Sequence, residues 1–145
     1  MKHLKSYKIF EDTQEYRIKI KCYNNSIYSD NNFLYFYIML GRKEIGEFQL
    51  EIKFEKNENG VYKIENDNFN VSIYGFEIED DFRGRGLGKS SFKKIIEYIH
   101  KNYKNNKGIY LSVFSNNDSS IKIYKEIGFK VIKKDGEVLK MKYEN

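Results

Sequence analysis

Residues 71–90 read VSIYGFEIEDDFRGRGLGKS, and this stretch decides the fold. Its opening, residues 71–78, is rich in β-branched and aromatic side chains and predicts a strand. Its close, Arg83-Gly84-Arg85-Gly86-Leu87-Gly88-Lys89-Ser90, alternates glycine with other residues just where a helical pattern begins. Glycines at such a junction remove the Cβ atoms that would hold a ligand away from the backbone. The first N–H groups of a helix have no intrahelical acceptor, and the positive end of the helix dipole adds to Arg83, Arg85 and Lys89. Strand, glycine bend and helix start, in that order, suit a phosphate or diphosphate. The plainer reading of the same residues is a turn that lets a helix pack closely on its strand.

Two familiar phosphate loops do not fit. A P-loop needs glycine where this chain has Arg83, and a dinucleotide fingerprint begun at Gly84 or Gly86 ends on Lys89 or Ser91.

Downstream, Leu87, Phe92, Ile95, Ile96, Ile99 and Tyr103 recur at helical spacing and predict an amphipathic helix over residues 86–103, stopped by Gly108. Residues 109–113 read as a short strand. Asn117 or Asp118 caps the next helix, which carries Ile121, Tyr124 and Ile127 on one face and ends at Gly128. Residues 129–132 and 138–143 flank Asp135-Gly136, a hairpin signal. Upstream, residues 16–22 alternate as a half-buried strand, and the continuous apolar run 34–40 predicts a strand buried on both faces. Residues 44–54 alternate again, with Ile45, Phe48, Leu50, Ile52 and Phe54 apolar, and open a long hairpin over 44–64. A polar loop is expected over 24–32, with turns at 57–60 and 66–68. No repeat or linker divides the 145 residues, so a single α/β (α+β) domain spanning 1–145 is expected, a mixed sheet with helices packed on it.

Composition narrows the class. With 17% aromatic residues among 40% apolar ones the chain is not intrinsically disordered. No apolar run is long enough to span a membrane. The charged N-terminus lacks a signal-peptide core. Cys22 is the only cysteine, which excludes an intrachain disulfide and fits a reducing, cytoplasmic setting. Net charge is +5, yet lysines and acids are interspersed, so nucleic acid is not the expected partner. His3, His100 and Cys22 lie far apart in sequence, so no metal is expected.

The pattern Arg83-x-x-Gly86-x-Gly88 resembles the acyl-CoA pyrophosphate loop of the GNAT superfamily of N-acetyltransferases. A second stretch, residues 113–129, is similar to that family's later motif, with Asn117, Tyr124, Gly128 and Phe129 in register and Ser120 at a position usually held by another small residue. The resemblance covers residues 71–143. It implies a mixed, mostly antiparallel sheet of about six to seven strands, with acetyl-CoA as cosubstrate. It further implies that the backbone of Arg83, Gly84, Arg85, Gly86, Leu87, Gly88 and Lys89 holds the pyrophosphate. The strand edge at Phe76 and Ile78 would pair with pantetheine amides, and the Phe76 N–H would face the oxyanion. Asn117 would touch the cofactor arm, and Tyr124 would protonate the departing thiolate.

Each role has a bland counterpart. Tyr124 lies on the apolar stripe of its helix, Asn117 is a good N-cap, and Arg83 with Lys89 also makes a solvated basic rim. The base is open between Glu77 and a water relay. Strand alternation sets Ser72, Tyr74, Phe76 and Ile78 on one face and Glu77 with Glu79 on the other, so Glu77 serves a substrate on the Phe76 face only if a bulge turns the strand. The implied reaction is direct attack by a small-molecule or peptide amine in a ternary complex, with no membrane involved. The alternative is a catalytically inactive CoA- or phosphate-binding module. Exposed strand edges leave a homodimer open.

Overall fold

The computed structural model describes residues 17–24, 33–54 and 69–144. Among the described residues nine regular elements follow one another: β1 (Ile18–Asn24), β2 (Phe33–Leu40), β3 (Lys43–Phe54), β4 (Phe69–Ile78), α1 (Leu87–Asn102), β5 (Ile109–Phe114), α2 (Asp118–Ile127), β6 (Phe129–Asp135) and β7 (Val138–Tyr143). A single 3-10 turn, Asp80–Phe82, precedes α1. The strands form one seven-stranded sheet in the order β1-β2-β3-β4-β5-β7-β6. Every neighbouring pair is antiparallel except β4 and β5. The expected mixed, mostly antiparallel sheet is therefore present. Of the loop expected over 24–32, Asn24 belongs to β1 and residues 25–32 lie outside the described residues, as do the turns at 57–60 and 66–68 and the second arm of the 44–64 hairpin; the described partners of β3 are β2 and β4.

Alternation builds the core. Leu34, Phe36 and Ile38 of β2, Phe48, Leu50 and Ile52 of β3, Val71 and Ile73 of β4, and Ile109, Leu111 and Val113 of β5 are buried. Helix α1 lays Leu87, Phe92, Ile95, Ile96 and Ile99 against this side, as its periodicity predicts. Phe92 is the hub, with its ring 5.0 Å from Phe76, 4.8 Å from Tyr124 and 5.7 Å from Phe129. Fully burying such a ring contributes roughly 1.5–3 kcal/mol.

Three expectations need correction. Strand β2 is not buried on both faces: Tyr35 is 41% exposed and Tyr37 half-buried, because the tyrosines of this apolar run all point to the side away from α1. Helix α1 ends at Asn102, within a residue of the expected 86–103, but Gly108 is not its stop; the Tyr103 N–H closes its last turn on the Ile99 carbonyl, and the Gly108 carbonyl instead accepts from Val71. Alternation along β4 also fails. Glu47 pairs with Glu77 and Gln49 with Tyr74, so Gly75 and Phe76 together oppose Phe48. This is a β-bulge, and Gly75 supplies its left-handed residue at φ +60°. The extra residue puts Phe76 and Ile78 on the core side with Ile73, while Glu77 joins Ser72 and Tyr74 on the opposite face.

The parallel pair is short. β4 and β5 pair only from Val71 with Ile109 to Ile73 with Leu111. Beyond that point the strands separate, and the end of β4 has a free edge.

Candidate active site

The glycine bend follows from backbone geometry. Gly86 precedes α1 in the left-handed region at φ +73°, where no side chain caps the helix, and the first amide bonded back across the turn is that of Ser90 to the Gly86 carbonyl. The N–H groups of Leu87, Gly88 and Lys89 are thereby left pointing out of the helix end. A Cβ added at Gly86 would meet nothing within 4 Å, so conformation, not crowding, calls for glycine. The Leu87 side chain is buried in the core and contributes its N–H alone.

This helix end opens onto a cleft of about 790 Å³ bounded by the end of β4, the glycine bend and α2 with its cap. Of the residues singled out from the sequence, Phe76, Glu77, Ile78, Arg83, Gly84, Gly86, Gly88, Lys89 and Asn117 all line it. The Glu79 N–H donates to Ile45 of β3 at 2.8 Å. By strand alternation the N–H of Ile78 points the other way, into the cleft, which is the free edge that an extended amide chain would pair with.

Two of the cleft's cations, Arg83 and Lys89, are already engaged. Arg83 Nε donates to the Ile78 carbonyl at 2.8 Å, and its guanidinium holds Glu77 at 3.0 Å and Asp80 at 2.8 Å. Its side chain thus ties the end of β4 to the bend. Lys89 pairs with Glu126 of α2 at 2.8 Å across the cleft mouth, and hydrogen bonding and charge from Lys89 hold the Glu126 carboxyl below its usual range. Arg85 does not line the cleft; its guanidinium sits over the Phe82 ring at 5.5 Å.

Asn117 is the N-cap of α2: its Oδ1 accepts from the Ser120 N–H at 3.4 Å and from Ser119 Oγ at 3.4 Å. Capping and cleft lining coincide, since Asn117, Ser119 and Ser120 all lie on the wall. Tyr124 is only 8% exposed, its ring packed on Phe92 and Phe129. It does not line the cleft itself. Its hydroxyl interacts with Ser120, which does. Burial raises the Tyr124 pKa, partly offset by that hydrogen bond, so the phenol keeps its proton at neutral pH. His100 stands apart, its ring beside Tyr143.

Glu77 lines both this cleft and a trough of about 410 Å³ formed with Glu44, Gly46, Glu47, Glu79 and Asp80. Glu44, Glu47 and the tyrosines of β1 and β2 were not singled out from the sequence. A strand glycine flanked by aromatic residues, Tyr74-Gly75-Phe76, was the available sign of the bulge.

Among the described residues the sheet has one parallel pair, and it opens beside that pair with an uncapped helix end lining the opening, an α/β arrangement whose geometry suits an extended ligand carrying a diphosphate. Residues 6–129 match the acetyltransferase (GNAT) family, and the chain belongs to that family. It is 40% identical over 68 residues to a spermine/spermidine N(1)-acetyltransferase of Bacillus subtilis, a match covering 47% of this chain and 44% of that protein. The match thus spans less than half of the relative's length. Among solved structures, the N-acetyltransferase PseH of Campylobacter jejuni superposes with a TM-score of 0.66 at 15% identity, over 89% of this chain and 99% of that one. NAA60 of Arabidopsis thaliana in complex with a bisubstrate analogue gives 0.59 at 17% identity, over 80% and 77%. Both likenesses concern the fold. Among the described residues no helix is long and apolar enough to cross a membrane.

Proposed function

We propose that this protein is an acetyl-CoA-dependent N-acetyltransferase that moves the acetyl group to a primary amine by direct attack in a ternary complex. The observation that carries the reading is the separation of β4 from β5 after Ile73 and Leu111, which joins a free strand edge to the uncapped start of α1 in one cleft. The N–H groups of Leu87, Gly88 and Lys89 suit the diphosphate, and the edge at Phe76 and Ile78 suits the amide-bearing arm. Solved relatives are described in complex with acetyl coenzyme A, which supports the same ligand here.

Acetyl-CoA supplies an activated thioester; the chain supplies position and proton traffic. The bulge leaves the Phe76 N–H at the bend of the strand, suited to donate to the acyl oxygen as negative charge gathers on it. Tyr124, protonated at neutral pH, donates to the leaving sulfur by way of its hydroxyl at Ser120. Glu77, at the boundary of cleft and trough, receives the proton of the incoming ammonium directly or through water. The Bacillus relative's name supports an aliphatic polyamine as the amine. Cys22 as the sole cysteine accords with a cytoplasmic setting.

The hold of Arg83 on Glu77 favours a second reading, a module that binds CoA without turnover. Release of free thiol from acetyl-CoA with a panel of primary amines separates the two. Steady release that depends on the amine is expected; CoA binding with no release from any amine would establish the inactive module instead.

A further inference from the structure

The face of the sheet opposite α1 carries a hollow that the reaction as described above does not use. It has a volume of about 260 Å³, and its walls include Tyr23, Tyr35, Tyr37, Glu47, Gln49 and Gly75. The Tyr23 and Tyr37 rings meet edge to face with centroids 5.2 Å apart. Tyr23 is 67% exposed and Tyr35 41%, so ring surface stands open to solvent. Partial burial, then the charges of Glu44 and Glu47 among its neighbours, raise the Tyr37 pKa, which puts both carboxylates within electrostatic reach of that phenol.

Two residues link this hollow to the site of reaction. Gly75, the bulge residue, borders both the hollow and the cofactor cleft. Glu47 borders both the hollow and the acidic trough that ends at Glu77. In a chain of net charge +5, neither the hollow nor the trough is lined by a lysine or arginine among the described residues. Aromatic faces beside a carboxylate attract a cation and exclude an anion. Adjacent strands are about 4.8 Å apart, so β2 lies roughly 10 Å from β4, a reach for a chain of several methylenes.

We propose that this hollow seats a second ammonium of the acceptor, so that the enzyme selects linear aliphatic amines carrying two or more positive charges over amines carrying one. Glu47 pairs with the distal ammonium, the Tyr35 and Tyr37 rings flank it and the methylenes, and the terminal amine is delivered past Gly75 to the thioester. The inference rests on the N-acetyltransferase reading and deepens it to a substrate class.

The test compares n-hexylamine with 1,6-diaminohexane, which share a carbon chain and differ in charge, by thiol release. The wild type favours the diamine by about tenfold in kcat/KM, as expected for one cation held by rings and a carboxylate. In Glu47→Gln and in Tyr37→Leu that ratio falls towards one, mainly through a higher KM for the diamine. CoA titration checks that both variants fold. Calorimetric titration of spermidine onto the CoA complex is the second readout, and binding should weaken about tenfold in Glu47→Gln. A wild type indifferent to the second charge, or variants that keep the ratio, would overturn the inference while leaving the acetyltransferase reading intact. Absence of thiol release with every amine, together with spermidine binding that depends on Glu47, would do the reverse.

Discussion

The two flanks of the end of β4 work by different chemistry. Towards β5 the strand offers main chain: the edge at Phe76 and Ile78, then the N–H groups at the start of α1. Away from α1 it offers side chains, Glu77 and Tyr74, among Glu47, Gln49 and the tyrosines of β1 and β2. The first flank needs only glycines where the backbone turns left-handed and a helix that starts uncapped. The second draws on four strands at once. Under the proposed function, main chain would meet the cofactor on the first flank and side chains the acceptor on the second.

The largest expected effect breaks the cofactor flank. The double variant Arg83→Ala, Gly86→Glu places a carboxylate at the helix end and removes a cation; its CoA affinity in isothermal titration should fall by more than about a hundredfold, since like charge at a helix N-terminus repels a diphosphate. Near wild-type affinity would refute the assignment of the bend. Next comes the proton. Tyr124→Phe should lower kcat by about a hundredfold with CoA affinity held, the usual scale for losing a general acid; unchanged turnover would leave Tyr124 as core alone.

Gly75→Ala tests whether the bulge separates the flanks. At φ +60° a side chain costs about 1–2 kcal/mol, to be read as a lower unfolding midpoint. Amine turnover should fall more than CoA binding, because the bulge orients Glu77 and the Phe76 N–H while the glycine bend at Gly86 lies elsewhere. A further probe reads the core under α1. Burial pushes the Tyr103 phenol up to about 12. With an unfolded value near 10, its contribution to stability is whole below that pH and is lost as pH rises through about 12. Tyrosinate absorbance should show this phenol ionising late, with the unfolding transition; early ionisation would mean that the ring is accessible. The smallest effect is at the cleft mouth. Glu126→Gln releases Lys89 from an ion pair whose members are 41% and 38% exposed, and CoA should bind about twofold more tightly. Weaker binding would show that the pair organises the mouth.

What could be read in advance follows sequence distance. Gly86 and the uncapped turn after it, Asn117 as a cap, the stripe from Leu87 to Ile99 and the hairpin at Asp135-Gly136 all rest on interactions within a few residues. Each was legible, and each has its expected place. The face of Glu77 was not, because one extra residue at Gly75 inverts a period of two and alternation alone has no way to register it. Tyr124 kept both of its readings, since a helical stripe fixes which side is buried and not which atom reaches a cleft.

The residue order by itself determined most of the described elements, the glycine bend before α1 and the family to which the chain belongs, because φ preferences, caps and periodicity act along the chain. Only the tertiary structure decided where the cleft opens, that Arg83 is already bound to Glu77 and Asp80, and that Tyr23, Tyr35, Tyr37 and Glu47 share one hollow. Those facts depend on strand register and on where pairing stops, and register is set by the packing of the whole sheet.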